Sequence, residues 1–350
     1  MAYTTIPKSS DYFNTKLYSG SNGTQSVSGV GFQPDWSWLK CRSSAYNHRL
    51  FDAVRGVTKN LQSNATNAEQ TIDEGITAFN SDGFSVKQGA NLEYNASGQT
   101  YASWNWKANG SGSANTDGSI SSTVSVNTTS GFSIVSYTGD GTNNNTATIG
   151  HGLGVAPSMI IVKGINATAS WITTNTINGW NNVLELNSTA ANAASTYAFG
   201  STGIPPTSTV FTVAAASGQH HTNTNGGTYI AYCFAEKQGF SKFSSYTGNG
   251  STDGTFVYTG FKPAFVMVKR TDATGNWVMV DSKRDTFNVC DAVVSADTSD
   301  AEYDVDVEDF LSNGFKMRDA HTTRNASGGT YIYMAIAEEP LVGDNPATAR

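Results

Sequence analysis

Charge is scarce in this chain of 350 residues: Asp, Glu, Lys and Arg together make up 14%, and the formal net charge is −7. No cluster of basic residues appears, which argues against nucleic acid and anionic membrane as partners. Cysteine is nearly absent. Cys41, Cys233 and Cys290 are odd in number and far apart, so they read as small buried hydrophobes in a reducing compartment in preference to a disulfide framework. Long apolar runs are missing too; "MIIV" at 159–162 is far too short to span a bilayer. The first twenty residues lack a basic start followed by an apolar stretch, so no secretory signal is expected and the chain reads as a soluble protein made in a cytoplasm.

What is present is glycine, 35 residues of it, among many Ser, Thr and Asn, with 15 Tyr, 17 Phe and 7 Trp. The small polar residues are weak helix formers that suit tight turns, while the aromatics supply surface to bury. An all-β chain with few or no helices is the expectation.

The chain repeats itself. "GFQPDWSWLK" (31–40), "GVAPSMIIVK" (154–163) and "GFKPAFVMVK" (260–269) share a Gly, a Pro three residues on and a Lys six after that. "LYSGSNG", "SYTGDG" and "SYTGNG" precede them; Phe79, Phe310 and a blurred counterpart near Phe211 follow, and a Thr-Tyr strand comes last, at Tyr101, Tyr229 and Tyr331. Several anchors in one order at near-constant spacing imply duplication, with a unit about the size of a small β-sandwich. Three tandem sandwiches of jelly-roll or lectin-like type are expected: a lead at 1–16, repeats at 17–110, 131–238 and 239–340, a Gly/Ser/Asn-rich linker at 111–130 and a tail at 341–350.

Side chains alternate across a strand. The Thr-Tyr strand therefore has one bulky face, Ala102, Trp104 and Trp106 in repeat 1, expected to point into the core. Its other face, Ser103, Asn105 and Lys107, is expected to be wet and to suit contact with a partner protein. Lys40, Lys163 and Lys269 are expected to carry the neighbouring strand out to solvent.

Chemistry is harder to find. No nucleophile elbow, P-loop, H-E-x-x-H or C-x-x-C is present, so no catalytic residue and no cofactor are expected. His220, His221 and His321 fall loosely before the Thr-Tyr strand, near Asn225 and Asn325, in what reads as a polar loop or a ligand-contact loop. Asp304, Asp306 and Glu308 alternate onto one strand face and are weak candidates for calcium, with a solvated edge strand the blander reading. Trp171 and Trp277 each lie 14 residues past the repeat's Pro and read as core. Trp180 has no counterpart and is the better surface residue, so the segment Trp180 to Asn187, with His220, His221 and Asn225, is the expected glycan-contact region.

Stretches such as "YFNTKLYSG", "HRLFDAVRG", "GFSIVSYTGDG" and "GGTYIYMAIAEEP" resemble an uncharacterised repeat family in virion structural proteins of marine tailed bacteriophages, cyanophages and their relatives, along nearly the whole chain. The resemblance implies a non-enzymatic virion surface protein, part of a tail fibre or adhesin-like appendage, with other virion proteins and a host-surface glycan or protein as partners. A homotrimer follows by analogy with phage appendages. The alternatives are a capsid decoration protein without a receptor role, and a polysaccharide-degrading enzyme, for which carboxylates such as Glu185 and Asp281 fall in different repeats.

Overall fold

The computed structural model describes residues 4–90, 92–143, 145–195, 198–200, 202–215 and 222–340. These form antiparallel sheets and turns, with one 3-10 turn at Ser9–Asp11. Repeat 1 contains β1 (Phe13–Ser19), β2 (Thr24–Ser28), β3 (Trp36–Cys41), β4 (Arg49–Asp52), β5 (Lys59–Asn60), β6 (Gln70–Thr71), β7 (Gly75–Asn80), β8 (Gly83–Lys87) and β9 (Thr100–Trp106). Repeat 2 contains β10 (Ser113–Asn115), β11 (Ser122–Asn127), β12 (Phe132–Thr138), β13 (Thr148–Gly150), β14 (Met159–Gly164), β15 (Trp171–Asn175), β16 (Asn182–Glu185), β17 (Ala193–Ala194), β18 (Val210–Thr212) and β19 (Thr228–Phe234). Repeat 3 contains β20 (Ser241–Thr247), β21 (Phe256–Tyr258), β22 (Phe261–Arg270), β23 (Trp277–Asp281), β24 (Cys290–Ser295), β25 (Tyr303–Leu311), β26 (Gly314–Met317) and β27 (Thr330–Pro340).

Each repeat has the same four-strand inner sheet: β1-β9-β3-β4, β12-β19-β14-β15 and β20-β27-β22-β23. In repeat 3 the sheet continues through β24, β25 and β26 to β21, a nearly closed barrel. The segment read as a linker is ordered structure: β10 and β11 extend the sheet of repeat 2 beyond β12.

One end of every repeat is pinned alike. Tyr18 stacks on Tyr101, Tyr137 on Tyr229 and Tyr246 on Tyr331, with ring centroids 4.9, 5.0 and 4.9 Å apart. The hydroxyls of Tyr101, Tyr229 and Tyr331 accept the backbone N–H of Ala96, Thr224 and Ala326. A fully buried Asn six residues before each of these tyrosines (Asn95, Asn223, Asn325) accepts the N–H of Ser21, Asp140 and Asn249, which fixes the turn after β1, β12 and β20. Gly98, Gly226 and Gly328 follow with φ of +81°, +71° and +75°, a left-handed turn that glycine adopts without steric cost.

Sequence reasoning put the bulky face of the Thr-Tyr strand in a core, and so it is, but that core is shared. Trp104 and Trp106, Tyr232 and Phe234, Met334 and Ile336 all belong to one buried cluster to which all three repeats contribute. Trp36 stacks on Tyr232 of repeat 2 at 4.2 Å, and Phe13 lies 5.6 Å from Phe265 of repeat 3. The opposite strand faces line separate cores inside each repeat.

This overturns the wet face of repeat 1. Ser103 and Asn105 are fully buried. The Ser37 hydroxyl donates to Asn105 Oδ1, and Asn105 Nδ2 reaches Ser103 and the Asn14 carbonyl. Mutual hydrogen bonds let these polar groups lie inside. Lys107 is half-buried, its ammonium near the Tyr12 ring.

The seams between repeats form a ring with one direction, repeat 2 donating to repeat 1, repeat 3 to repeat 2, and repeat 1 to repeat 3. Lys163 Nζ donates to the Thr66 carbonyl (2.9 Å), Lys269 to Thr189 (2.9 Å) and Lys40 to Ser299 (3.2 Å). The three lysines are thus buried, not carried to solvent, because a second carbonyl from their own hairpin, Ala169, Gly275 or Tyr46, completes the shell. Burial pushes the pKa of each down to about 8. Beside them the indoles of Trp171 and Trp277 donate to Gln62 and Glu185 carbonyls, at 2.7 and 2.9 Å. His48 takes that place in repeat 1, 3.0 Å from the Ser295 carbonyl. Burial holds its pKa well below the usual histidine value, so the ring is neutral: Nδ1 accepts from the Trp38 indole, which leaves the proton on Nε2 for Ser295. Backbone N–H groups return the bonds, Glu69 to Ile165, Asn192 to Thr271 and Glu302 to Arg42.

A final seam position varies with its partner. Asp52 accepts the Tyr232 hydroxyl at 2.8 Å, and Asp281 the Trp104 indole at 3.0 Å; each is paired with a buried arginine, Arg55 or Arg284. In repeat 2 the equivalent residue is Asn175, and the residue matching Tyr232 and Trp104 is Met334, which has no donor to offer. An uncharged side chain then avoids burying a carboxylate without its partners.

Candidate functional site

The structure disperses most of the residues expected to bind a ligand. Trp180 is 7% exposed and packs edge-on against Phe199 in the core of repeat 2, which corrects its reading as a surface residue: the polar neighbours in sequence cap turns while the indole points inward. Asn187 is a turn anchor whose Oδ1 accepts the Trp171 N–H at 2.7 Å, as Asn64 does for His48 and Asp297 for Trp277. His220 and His221 lie outside the described residues. His321 is exposed, its Nδ1 accepting the Thr323 N–H. The true counterpart of Asn325 is Asn223 rather than Asn225.

Asn225 itself is exposed and lines a cleft of about 360 Å³ at the end of repeat 2, with Asn166, Thr168, Thr224, Gly226 and Tyr229. The cleft arises from a substitution in a shared loop. Three residues past the seam lysine stands Ser43, Asn166 or Asp272, and each accepts the N–H of the Thr that opens the last strand (Thr100, Thr228, Thr330) at 3.0 Å. In repeat 3 an Arg270–Asp272 ion pair flanks this contact, and in repeat 1 Gln99 takes the hydroxyls of Ser43 and Ser44. Repeat 2 has Gly164 where repeat 3 has Arg270, and Asn166 in place of Asp272, so no ion pair covers the contact and space opens. Among the described residues the lining offers amides, hydroxyls and backbone groups but no carboxylate, imidazole or amine. Such a surface can hydrogen-bond a neutral, hydroxyl-rich ligand.

The acidic run of β25 is split. Asp304 and Asp306 are exposed whereas Glu308 is fully buried. The β24–β25 pairing shifts between Ala292, opposite Asp304, and Cys290, opposite Glu308, which breaks the alternation. Among the described residues no group of three or more His, Cys, Asp or Glu is placed to hold a metal ion. Glu185 and Asp281 are engaged in different seams, the first through its carbonyl with Trp277, the second with Arg284 and Trp104.

A family model described as "Domain of unknown function (DUF7483)" matches residues 8–340, all three repeats. The chain belongs to this family. Among curated proteins and among solved structures nothing matches it. For this DUF7483 member the cleft at Asn225 and the outer surface of repeat 3 are two places where side chains are open to a ligand. Sequence reasoning marked Trp171 and Trp277 as framework but missed His48, although the signal was there: all three lie 14 residues past the repeat's Pro, as 48−34, 171−157 and 277−263 show.

Proposed function

We propose that this protein is a non-enzymatic structural component of a bacteriophage virion, part of a tail fibre or adhesin-like appendage exposed at the virion surface. On this reading each repeat is a β-sandwich of jelly-roll or lectin-like type, and the chain is kin to the repeat proteins of marine tailed phages that its motifs resemble. The observation that carries the reading is the closed ring of seams. Three lysines, two indoles and a histidine bond carbonyls of the adjacent repeat around one aromatic core, an arrangement that suits a rigid body and uses its buried polar groups for assembly. The neutral cleft at Asn225 supports contact with a host-surface glycan. Three-fold packing within one chain supports a further point: a single copy takes the place that three chains fill in a homotrimeric appendage.

The test is a cryo-EM map of the intact virion with the chain traced into it. Density at the distal end of an appendage, with the Asn225 end of repeat 2 outward, is the expected result. Density tiled over the capsid would replace the receptor role with decoration, and absence from the virion would overturn the reading altogether.

A further inference from the structure

We propose that the outer edge of β21, in repeat 3, accepts an extended peptide strand from a neighbouring protein chain. Among the described residues β21 ends its sheet and is paired on one side alone, with β26. The bonds toward β26 involve Thr255, whose carbonyl accepts from Met317, and Thr259, which donates to Asn313. Alternation along an antiparallel ladder therefore turns the N–H and C=O of Phe256 and Tyr258 to the free edge.

Repeat 2 shows what such an edge binds. Its β13 is the counterpart of β21: Ile149 pairs with Phe211 as Val257 pairs with Phe315, and each Phe meets its repeat's tyrosine edge-on at 6.2 and 6.0 Å. β13 likewise bonds its partner through Ala147 and His151. Its other edge is occupied by the chain arriving from repeat 1. Ile120 forms a parallel bridge to Ile149 and donates to the Thr148 carbonyl at 3.1 Å, while Ser119 exchanges hydrogen bonds with Thr148. Repeat 3 follows repeat 2 through a tight turn at Lys237–Ser241, so among the described residues no such segment reaches β21.

The side chains point the same way. Phe256 and Tyr258 are 45% and 55% exposed, where repeat 1 has Ser26 and Ser28 and repeat 2 has Thr148 and Gly150. A fold that forms with Ser, Thr and Gly at these positions does not need two aromatics there, and an edge bearing them invites pairing, where protective edges carry Lys or Pro. The nearby charges are already matched, Lys316 with Asp253 and Arg318 with Asp309, which favours an uncharged occupant. Its chemistry is that of residues 118–122: Gly and Ser around one branched aliphatic side chain, hydrogen-bonded as an added strand. It cannot retrace residues 113–115, since Asn115 sits where the Cβ of Gly150 would be and Tyr258 has a side chain there. Beyond the bridge it lies along the two rings.

The experiment titrates ¹⁵N-labelled full-length protein with an end-blocked synthetic peptide of residues 118–122, reading amide shifts. Saturable shifts at Phe256, Val257 and Tyr258 are expected. Binding should weaken by about tenfold or more with a peptide carrying Asp in place of Ile120, and in Tyr258→Pro, which removes an edge donor that β26 does not use. Should Tyr258→Pro fail to fold, the double variant Phe256→Ser with Tyr258→Ser, copying repeat 1, takes its place. Absent saturation, equal binding of the Asp peptide, or shifts of the same amides by a neutral oligosaccharide and not by the peptide would each overturn the proposal.

Discussion

The ammonium of Lys40 lies 3.2 Å from the carbonyl oxygen of Ser299, which is 259 residues further along the chain. This bond closes the ring between the first and last repeats, and a bidentate Arg42–Glu302 pair with Arg284 on the same carboxylate reinforces it. The other two seams join repeats that are consecutive in the chain; this one holds without a covalent link.

Each seam lysine should matter to a similar degree. Lys40→Met, Lys163→Met and Lys269→Met leave buried carbonyls without their donor, and each should destabilise by about 1–3 kcal/mol. Guanidinium unfolding curves for the three variants check this; a loss confined to Lys40 would mean that the ring is not energetically symmetric.

The same lysines set a pH dependence. Folded, each has its pKa pushed down by burial to about 8, against about 10.4 unfolded. Between these values the unfolded chain binds more protons, so this contribution to stability rises with pH from about 8 and is complete above about 10. Tyr18, Tyr137 and Tyr246, fully buried with raised pKa, oppose it above about 10, where only the unfolded tyrosines ionise. The denaturation midpoint should climb from pH 8 and turn over near 10, and Lys163→Met should reduce the climb.

At the variable seam position donor and acceptor are matched. Tyr232→Phe deprives buried Asp52 of a donor and should cost about 1–3 kcal/mol. Met334→Leu, at the position matching Tyr232, should cost under about 1.5 kcal/mol. Equal losses on thermal unfolding would show that the hydroxyl of Tyr232 contributes nothing beyond packing.

A repeat by itself should not hold its fold. Residues 111–238, which keep β10 and β11, expressed alone would expose Phe132, Met159, Ile161, Trp171, Tyr232 and Phe234, which the other repeats cover. An exposed apolar face of this kind drives association. The fragment should aggregate or bind ANS strongly and give weak near-UV circular dichroism; a sharp cooperative melt would show that the shared core is dispensable.

Trp180 tests the corrected placement. Trp180→Ala should lower stability by about 3–5 kcal/mol as a core truncation, whereas a surface indole would cost almost nothing; thermal melts distinguish the two.

The sequence by itself determined the strand content, the three-fold duplication and the strands that repeat, because side-chain alternation and turn chemistry are local and leave a periodic trace. It marked Trp171 and Trp277 as framework through their spacing from Pro157 and Pro263. What it could not decide was where a second face goes. Ser103 and Asn105 are as polar as any surface pair, and Lys163 as charged; only the packing of β1, β3 and β9 around the Ser37–Asn105 contact, and of repeat 1 against repeat 2, supplied the partners that let them lie inside. The reading of Trp180 failed for the related reason that the polarity of neighbours in sequence says nothing about which way a lone indole turns. A closed ring of repeats is a property of surfaces meeting across more than two hundred residues, and carbonyl acceptors such as Thr66, Thr189 and Ser299 carry no side-chain signature. Tertiary structure alone could place a backbone oxygen beneath a lysine.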